Sequence, residues 1–123
     1  LTYIMMKIWF VFFGGGLGSL ARFGFTYYLP NASNFSIPTL SANILSCLIL
    51  GYLAGLKMRA NLSESSYLIL ATGFCGGFTT FSTFSLENIQ FIQNQNYNLA
   101  LLYTISSIFI GFIGVLIGFK LFN

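Results

Sequence analysis

Hydrophobic residues along the chain are grouped into four long apolar segments that are separated by short polar stretches. The segments cover about residues 4–29, 39–56, 66–92 and 97–122. Proline, asparagine and serine fill the separators, for example "NASNFSIP" after Pro30 and the later "QNQN", and such clusters are typical between helices. A helix that crosses a bilayer needs about 20 apolar residues. The pattern predicts an all-α integral membrane protein with one domain of four transmembrane helices over residues 1–123.

The composition supports this class and excludes others. Hydrophobic residues make up 56% of the chain and charged residues only 6%, whereas about a quarter of a soluble domain is charged. Without histidine, and with its two carboxylates, Glu64 and Glu87, on different segments, the chain offers no nucleophile–base pair, so we do not expect an enzyme. The five cations form no basic patch for nucleic acid. Cys47 and Cys75 have neither disulfide nor metal spacing, which favours simple packing.

The distribution of positive charges predicts the orientation in the membrane. With four spans, Lys7, Lys57, Arg59 and Lys120 lie toward one side, and Arg22 lies toward the other. Positive residues are enriched in cytoplasmic loops. We therefore expect a multi-pass protein of the cell inner (plasma) membrane with both termini in the cytoplasm.

Small residues recur every three or four positions in three of the segments. In lipid, such spacing permits helices to approach closely through their backbones. The pattern predicts a tight helix bundle or a dimer rather than a binding site. The residues are Gly14 and Gly18, then Cys47, Gly51 and Gly55, and finally Ser107, Gly111, Gly114 and Gly118.

Several polar side chains lie inside or at the edge of apolar segments, where they are costly and often functional. Arg22 could snorkel near a helix end or lie at an anion entrance, and Glu87 could face the membrane interface or the bundle. Asn43 could form an interhelical hydrogen bond or donate to a solute. Tyr103 and Ser107 are four residues apart, so their hydroxyls share one helix face.

The third segment contains the stretch "GFCGGFTTFSTFSLE", which is unusually rich in glycine and hydroxyl groups. Both residue types weaken a helix, so we expect a break near Gly76 to Thr80. Irregular backbone is tolerated in a bilayer only where protein buries it or where it lines a cavity, and the freed carbonyls could hold a cation. Phe81 and Phe84 are three residues apart and share a face of the helix after the break.

Three motifs together resemble the small bacterial fluoride channels of the Fluc (CrcB) family. They are the stretch just quoted, "GGLGSLARF" around Arg22 and "TLSANILS" around Asn43. Their order and spacing fit the family, and the four-helix layout covers almost the whole chain. The resemblance implies a fluoride-selective channel that exports fluoride passively from the cytoplasm and confers fluoride resistance. It also implies an antiparallel dimer with two narrow pores.

The resemblance further implies a role for individual residues. Arg22 would lie near the vestibule, and Glu87 near one end of the path. A structural Na⁺ at the dimer centre would be held by the backbone carbonyls of Gly76 and Thr79 from both subunits. Gly111 stands where some relatives carry a hydroxyl. The residues that would line the pore and bind fluoride are Asn43, Phe81, Phe84, Tyr103 and Ser107.

Other interpretations remain open at this point. The partner could be a second copy of the chain, which would then insert in both orientations, or an oppositely oriented paralogue, because the charge bias is strong. A small proton-coupled drug or ion transporter would need a carboxylate in the membrane, and Glu87 is the candidate. A non-transporting assembly subunit would leave Asn43 and Tyr103 without a role.

Overall fold

The computed structural model of the chain describes residues 1–30 and 35–121. Four of its helical segments are long and apolar enough to cross a membrane, and the third of them is interrupted. The elements are α1 (Thr2–Tyr28), α2 (Ile37–Met58), α3 (the consecutive pieces Glu64–Tyr67, Leu68–Cys75 and Gly76–Phe78), α4 (Phe81–Gln93) and α5 (Tyr97–Lys120). The predicted separator residues 31–34 and the predicted end of the fourth segment at residue 122 lie outside the described residues.

The starts of α2 and α3 differ slightly from the predicted starts. Helix α2 begins before Pro38 rather than after it, because the missing N–H of proline costs nothing in the first turn of a helix. Helix α3 begins at Glu64, where Ser63 accepts a hydrogen bond from the backbone N–H of Ser66. Such a cap supplies a partner for one of the otherwise unpaired N–H groups of the first turn.

The third span changes its helix type before it breaks. Leu68–Cys75 is π-helical, a form with i→i+5 hydrogen bonds that is rare and often found at functional sites. The break itself consists of two extended residues, Thr79 (φ −79°, ψ 155°) and Thr80 (φ −150°, ψ 119°). Gly76 has helical torsion angles (φ −62°, ψ −39°). The extended backbone is therefore confined to the end of the stretch predicted to be irregular.

Helix α1 packs against α3 through glycine. A Cβ atom on Gly14 would collide with the carbonyl of Ile69, and one on Gly18 would collide with the carbonyl of Phe74. Both contacts are with backbone, which cannot move aside as a side chain can. The small residues of the first segment therefore form an internal seam with the third span.

Helices α2 and α5 form a second seam of the same kind. A Cβ atom on Gly51 would collide with the carbonyl of Val115, and one on Gly118 would collide with the carbonyl of Leu48. The small-residue spacing correctly predicted close packing. Because both seams lie within one chain, the spacing does not by itself require a second copy.

Candidate functional site

Asn43 on α2 is hydrogen-bonded to the backbone at the helix break. The N–H of Thr80 donates to Asn43 Oδ1 at 3.0 Å, and Asn43 Nδ2 donates to the carbonyl oxygen of Thr80 at 3.4 Å. One side-chain amide thus pairs with both polar backbone groups of one extended residue. Since an Asn amide carries two N–H donors, one of them remains for another partner. The sequence allowed two interpretations of Asn43, an interhelical hydrogen bond and donation to a solute. The interhelical hydrogen bond is present, and the second N–H is the group that could donate to a solute.

Two neighbouring carbonyls on the α3 side of the break also have partners from side chains. The carbonyl of Cys75 accepts from Ser46 Oγ at 3.2 Å and from Thr79 Oγ1 at 2.9 Å. The carbonyl of Gly77 accepts from Arg22 Nε at 3.2 Å. Arg22 therefore points into the bundle and contacts the break, which disfavours a purely snorkelling side chain.

Two other carbonyls at the break have lost their helical donors. In an uninterrupted helix, Gly76 would accept from the N–H of Thr80, and Thr79 would accept from the N–H of Thr83. The N–H of Thr80 donates to Asn43 instead, and the N–H of Thr83 donates to Thr80 Oγ1 at 3.1 Å. Gly76 is exposed and Thr79 is half-buried in the described chain. These carbonyls therefore remain available to a ligand, and they are the two that the family resemblance implied for sodium.

The donor set at this position consists of backbone oxygen atoms. Unwound carbonyls coordinate Na⁺ in transporters with broken helices, so Gly76 and Thr79 have the right chemistry for such an ion. The described part of the chain contains no group of three or more His, Cys, Asp or Glu side chains that could bind a transition metal. A hard monovalent cation is the metal that these residues fit.

A cavity of about 290 Å³ lies beside the break, between α2, the start of α4 and α5. Ser107 Oγ lies buried in its wall and has no hydrogen-bond partner among the residues that the structure describes. A buried hydroxyl without a partner is unfavourable unless a ligand or water completes it. The cavity unites predicted pore residues from three helices, namely Asn43, Phe81, Phe84 and Ser107, together with Gly111 and Cys47.

The two phenylalanines of α4 contact each other, as their spacing predicted. Their ring centroids lie 5.7 Å apart. Phe84 also stacks on Tyr103 at 5.0 Å with an interplanar angle of 19°. Phe81, in contrast, is 79% exposed, so one wall of the cavity is covered by no other part of the described chain.

Tyr103 and Glu87 lie behind the cavity rather than in its wall. The fully buried Tyr103 donates through its hydroxyl to Glu87 Oε2 at 2.6 Å. Thr39 Oγ1 donates to the other carboxylate oxygen at 2.7 Å. Of the two hydroxyls predicted on one face of α5, Ser107 reaches the cavity and Tyr103 reaches Glu87. The polar face therefore continues past the cavity to a carboxylate.

Sequence reasoning missed two residues of this region, Thr39 and Thr80. Thr39 precedes Asn43 by four positions, so helical spacing would have placed both on one face of α2. Thr80 accepts from the N–H of Thr83 as the N-cap of α4, and threonine before a helix is a known cap signal. Its backbone pairing with Asn43 has no counterpart in the sequence pattern.

Four membrane-spanning segments, a helix break held by polar side chains and a cavity with an unpartnered hydroxyl together define the class. This is a multi-pass membrane protein built around a buried polar site. Residues 9–119 match the family described as "CrcB-like protein, Camphor Resistance (CrcB)". The chain belongs to this family, which confirms the resemblance seen in the three motifs.

Individual relatives are similar over nearly their whole length. A protein of Gloeothece citriformis named "Fluoride-specific ion channel FluC" is 43% identical over 121 residues, which are 95% of this chain and 97% of the relative. A protein of the same name from Azobacteroides pseudotrichonymphae is 42% identical over 121 residues (96% and 97%). One from Pyrococcus furiosus is 39% identical over 118 residues (95% and 96%).

Proposed function

We propose that the chain is a fluoride-selective channel that lets fluoride leave the cytoplasm passively and so confers fluoride resistance. The observation that carries this function is the cavity that joins Asn43, Phe81, Phe84 and the unpartnered hydroxyl of Ser107. The names of the relatives support it. The chain is a multi-pass protein of the cell membrane and not an enzyme.

The cavity has the donors that a small anion needs. Fluoride is strongly hydrated, so a pore must replace the hydrogen bonds of the lost water. The hydroxyl of Ser107 and the second N–H of Asn43 can do so, and the edge of a phenylalanine ring carries positive charge. Among the described residues, the wall contains no lysine or arginine. Conduction requires binding that is weak enough for release, and neutral donors meet that requirement.

Fluoride release from liposomes tests the proposed function. The purified chain is reconstituted into vesicles loaded with fluoride, and a fluoride electrode follows the release after the membrane potential is relieved. We expect rapid efflux of fluoride and little efflux of chloride from matched vesicles. Failure to release fluoride from vesicles that contain correctly inserted protein would contradict the function.

Glu87 allows a direct comparison with a proton-coupled transporter. Its carboxylate accepts hydrogen bonds from Thr39 and Tyr103, and the relatives, named as channels, give no support to coupled transport. A channel should show fluoride efflux that continues without a proton gradient. Efflux that requires a proton gradient and is capped at transporter turnover would favour the coupled mechanism.

We propose that two copies assemble in antiparallel orientation around a two-fold axis in the membrane plane. The support comes from the exposed ring of Phe81 at the cavity wall and from the half-buried, extended backbone of Thr79, which requires a protein surface or a cavity beside it in the bilayer. A second copy would cover both. Crosslinking of cysteines introduced near Phe81, read by the size of the product, tests this arrangement.

We propose further that a structural Na⁺ lies at the dimer centre, held by the carbonyls of Gly76 and Thr79 from each copy. The support is that both carbonyls have lost their helical donors. The ion would bridge two breaks and carry no part of the permeation. A high-resolution map at high sodium concentration should contain density there, and its absence would count decisively against the site.

The identity of the partner depends on the charge bias. Lys7 lies 2.8 Å from Glu64 in an ion pair. The negative charge of Glu64 therefore offsets one of the positive charges that bias the orientation. We favour a homodimer formed by one chain that inserts both ways. Single cysteines at positions 61–63, in a chain without Cys47 and Cys75, should be labelled from both sides of intact cells. Labelling from the cytoplasm alone, with no efflux from the purified chain, would indicate a missing oppositely oriented partner.

A further inference from the structure

The backbone carbonyls at the break fall into two groups. Those of Cys75 and Gly77 accept from the side chains of Ser46 and Arg22. Those of Gly76 and Thr79 do not receive the N–H groups that a continuous helix would supply. The free carbonyl of Gly76 lies between the partnered carbonyls of Cys75 and Gly77, so its lack of a donor is not a simple result of fraying at a helix end.

Both of the missing N–H donors pair instead with side-chain oxygen atoms. Asn43 Oδ1 accepts the N–H of Thr80 at 3.0 Å, and Thr80 Oγ1 accepts the N–H of Thr83 at 3.1 Å. In a continuous helix, each of these N–H groups would donate to the carbonyl four residues earlier. Without its oxygen partner, the N–H of Thr80 or of Thr83 would be left unpaired, which is costly for a buried donor. A return of this backbone to helical torsion angles would then direct that N–H to the carbonyl of Gly76 or Thr79.

We propose that Asn43 and Thr80 are positioning residues for the central cation, because their side-chain oxygens keep backbone N–H groups away from the carbonyls of Gly76 and Thr79. This inference rests on the sodium ion of the proposed assembly. It gives Asn43 two separable roles: Oδ1 prepares the cation site, and the second N–H faces the cavity. It also assigns a role to Thr80 beyond that of a helix cap.

Replacement of Thr80 tests the hydrogen bond that Thr80 Oγ1 accepts from the N–H of Thr83. Thr80→Val keeps the shape and removes the hydroxyl, whereas Thr80→Ser keeps the hydroxyl as a matched control. The full chain in detergent is unfolded by heat at increasing sodium concentration, with N-methylglucamine holding the ionic strength constant, and Trp9 fluorescence reports unfolding. The sodium concentration for half-maximal stabilisation should rise by about tenfold in Thr80→Val, because one competing hydrogen bond must then be broken. It should stay at the wild-type value in Thr80→Ser.

Replacement of Asn43 independently tests the hydrogen bond that Asn43 Oδ1 accepts from the N–H of Thr80. Asn43→Asp keeps an oxygen that can accept from the N–H of Thr80, and Asn43→Leu removes it. We expect Asn43→Leu to weaken the sodium response in the same way as Thr80→Val. Asn43→Asp should keep a wild-type sodium midpoint or a lower one. A sodium midpoint that follows side-chain volume rather than the presence of the oxygen would overturn the inference.

Amide hydrogen exchange tests the proposal in the wild-type chain, without any substitution. The N–H groups of Thr80 and Thr83 should exchange slowly both with and without sodium, because each donates to a side-chain oxygen whether or not the ion is bound. Fast exchange at both positions in the absence of sodium would contradict the proposal.

The outcomes separate this inference from the proposed function. Wild-type vesicles that release no fluoride, together with the expected sodium pattern, would remove only the fluoride function. Unchanged sodium midpoints in Thr80→Val and Asn43→Leu would remove only the positioning roles. A wild-type chain whose stability does not respond to sodium would overturn this inference together with the cation on which it rests.

Discussion

The two halves of α2 contact their neighbours by different means. In its second half, Gly51 lies directly against the backbone of α5, and this contact is possible only because glycine has no side chain. In its first half, Asn43 and Ser46 hold the third span through hydrogen bonds to backbone groups. One region therefore depends on volume and the other on the chemical identity of single atoms. Substitutions that change only one of these properties should distinguish the two regions.

The largest effect is expected from Asn43→Asp, which keeps volume but changes chemistry. A carboxylate about 4 Å from an anion at an effective dielectric constant of 20 repels it by about 4 kcal/mol. Each 1.36 kcal/mol is tenfold in rate, so fluoride efflux should fall by about a thousandfold. The variant should elute from a sizing column at the same volume as the wild type. Wild-type-like efflux from this variant would remove Asn43 from the path.

Gly18→Ala makes the opposite change, since it adds volume without new chemistry. Its Cβ would collide with the carbonyl of Phe74, and overpacking of this kind costs about 1–3 kcal/mol. Gly16→Ala is the matched control, because a Cβ there meets no atom of the described residues within 4 Å. Alanine is also the better helix former, by up to about 1 kcal/mol. Thermal unfolding in detergent should rank Gly16→Ala above the wild type and Gly18→Ala below it. Equal stability of the two variants would show that the seam can relax.

Phe84→Ile and Phe81→Ile keep apolar bulk and remove the ring edge, which carries a partial positive charge. Aromatic interactions of this type contribute about 0.5–1.5 kcal/mol, so fluoride efflux should slow by up to about tenfold. The elution volume of Phe81→Ile on a sizing column should match that of the wild type, while Phe84→Ile also loses the stacking on Tyr103. Full conduction by both variants would mean that the rings only fill space.

Ser107→Ala should produce the smallest change, in opposite directions for stability and flux. The hydroxyl is buried without a partner among the described residues, and such a group costs about 1 kcal/mol or more. Its removal should therefore raise the unfolding temperature slightly while it slows fluoride efflux severalfold. Ser106→Ala, next to it but outside the cavity wall, should leave efflux unchanged. Loss of stability in Ser107→Ala would show that the hydroxyl has a structural partner.

The sequence predicted the features that depend on local chemistry. Glycine and threonine at residues 76–80 indicated a break because both residue types weaken helices. The spacing of Gly51 with Gly55, and of Gly114 with Gly118, indicated a tight bundle or a dimer. The position of the break within this stretch depends on a contact from another helix, the pairing of Asn43 with Thr80. The partners of Arg22 and Tyr103 were equally inaccessible, since no periodic pattern encodes a contact across the bundle.

The π-helical stretch Leu68–Cys75 has a consequence for how the length of the third span can vary. Each hydrogen bond in it reaches one residue further than in an α-helix, so this part of the span holds surplus chain. If one residue is deleted there, the stretch can return to α-helical pairing and absorb the change in register. A deletion between Phe81 and Glu87, where the chain is already α-helical, cannot be absorbed in this way and would turn Glu87 away from Tyr103. The segment before the break is thus where we expect related channels to tolerate a change in length.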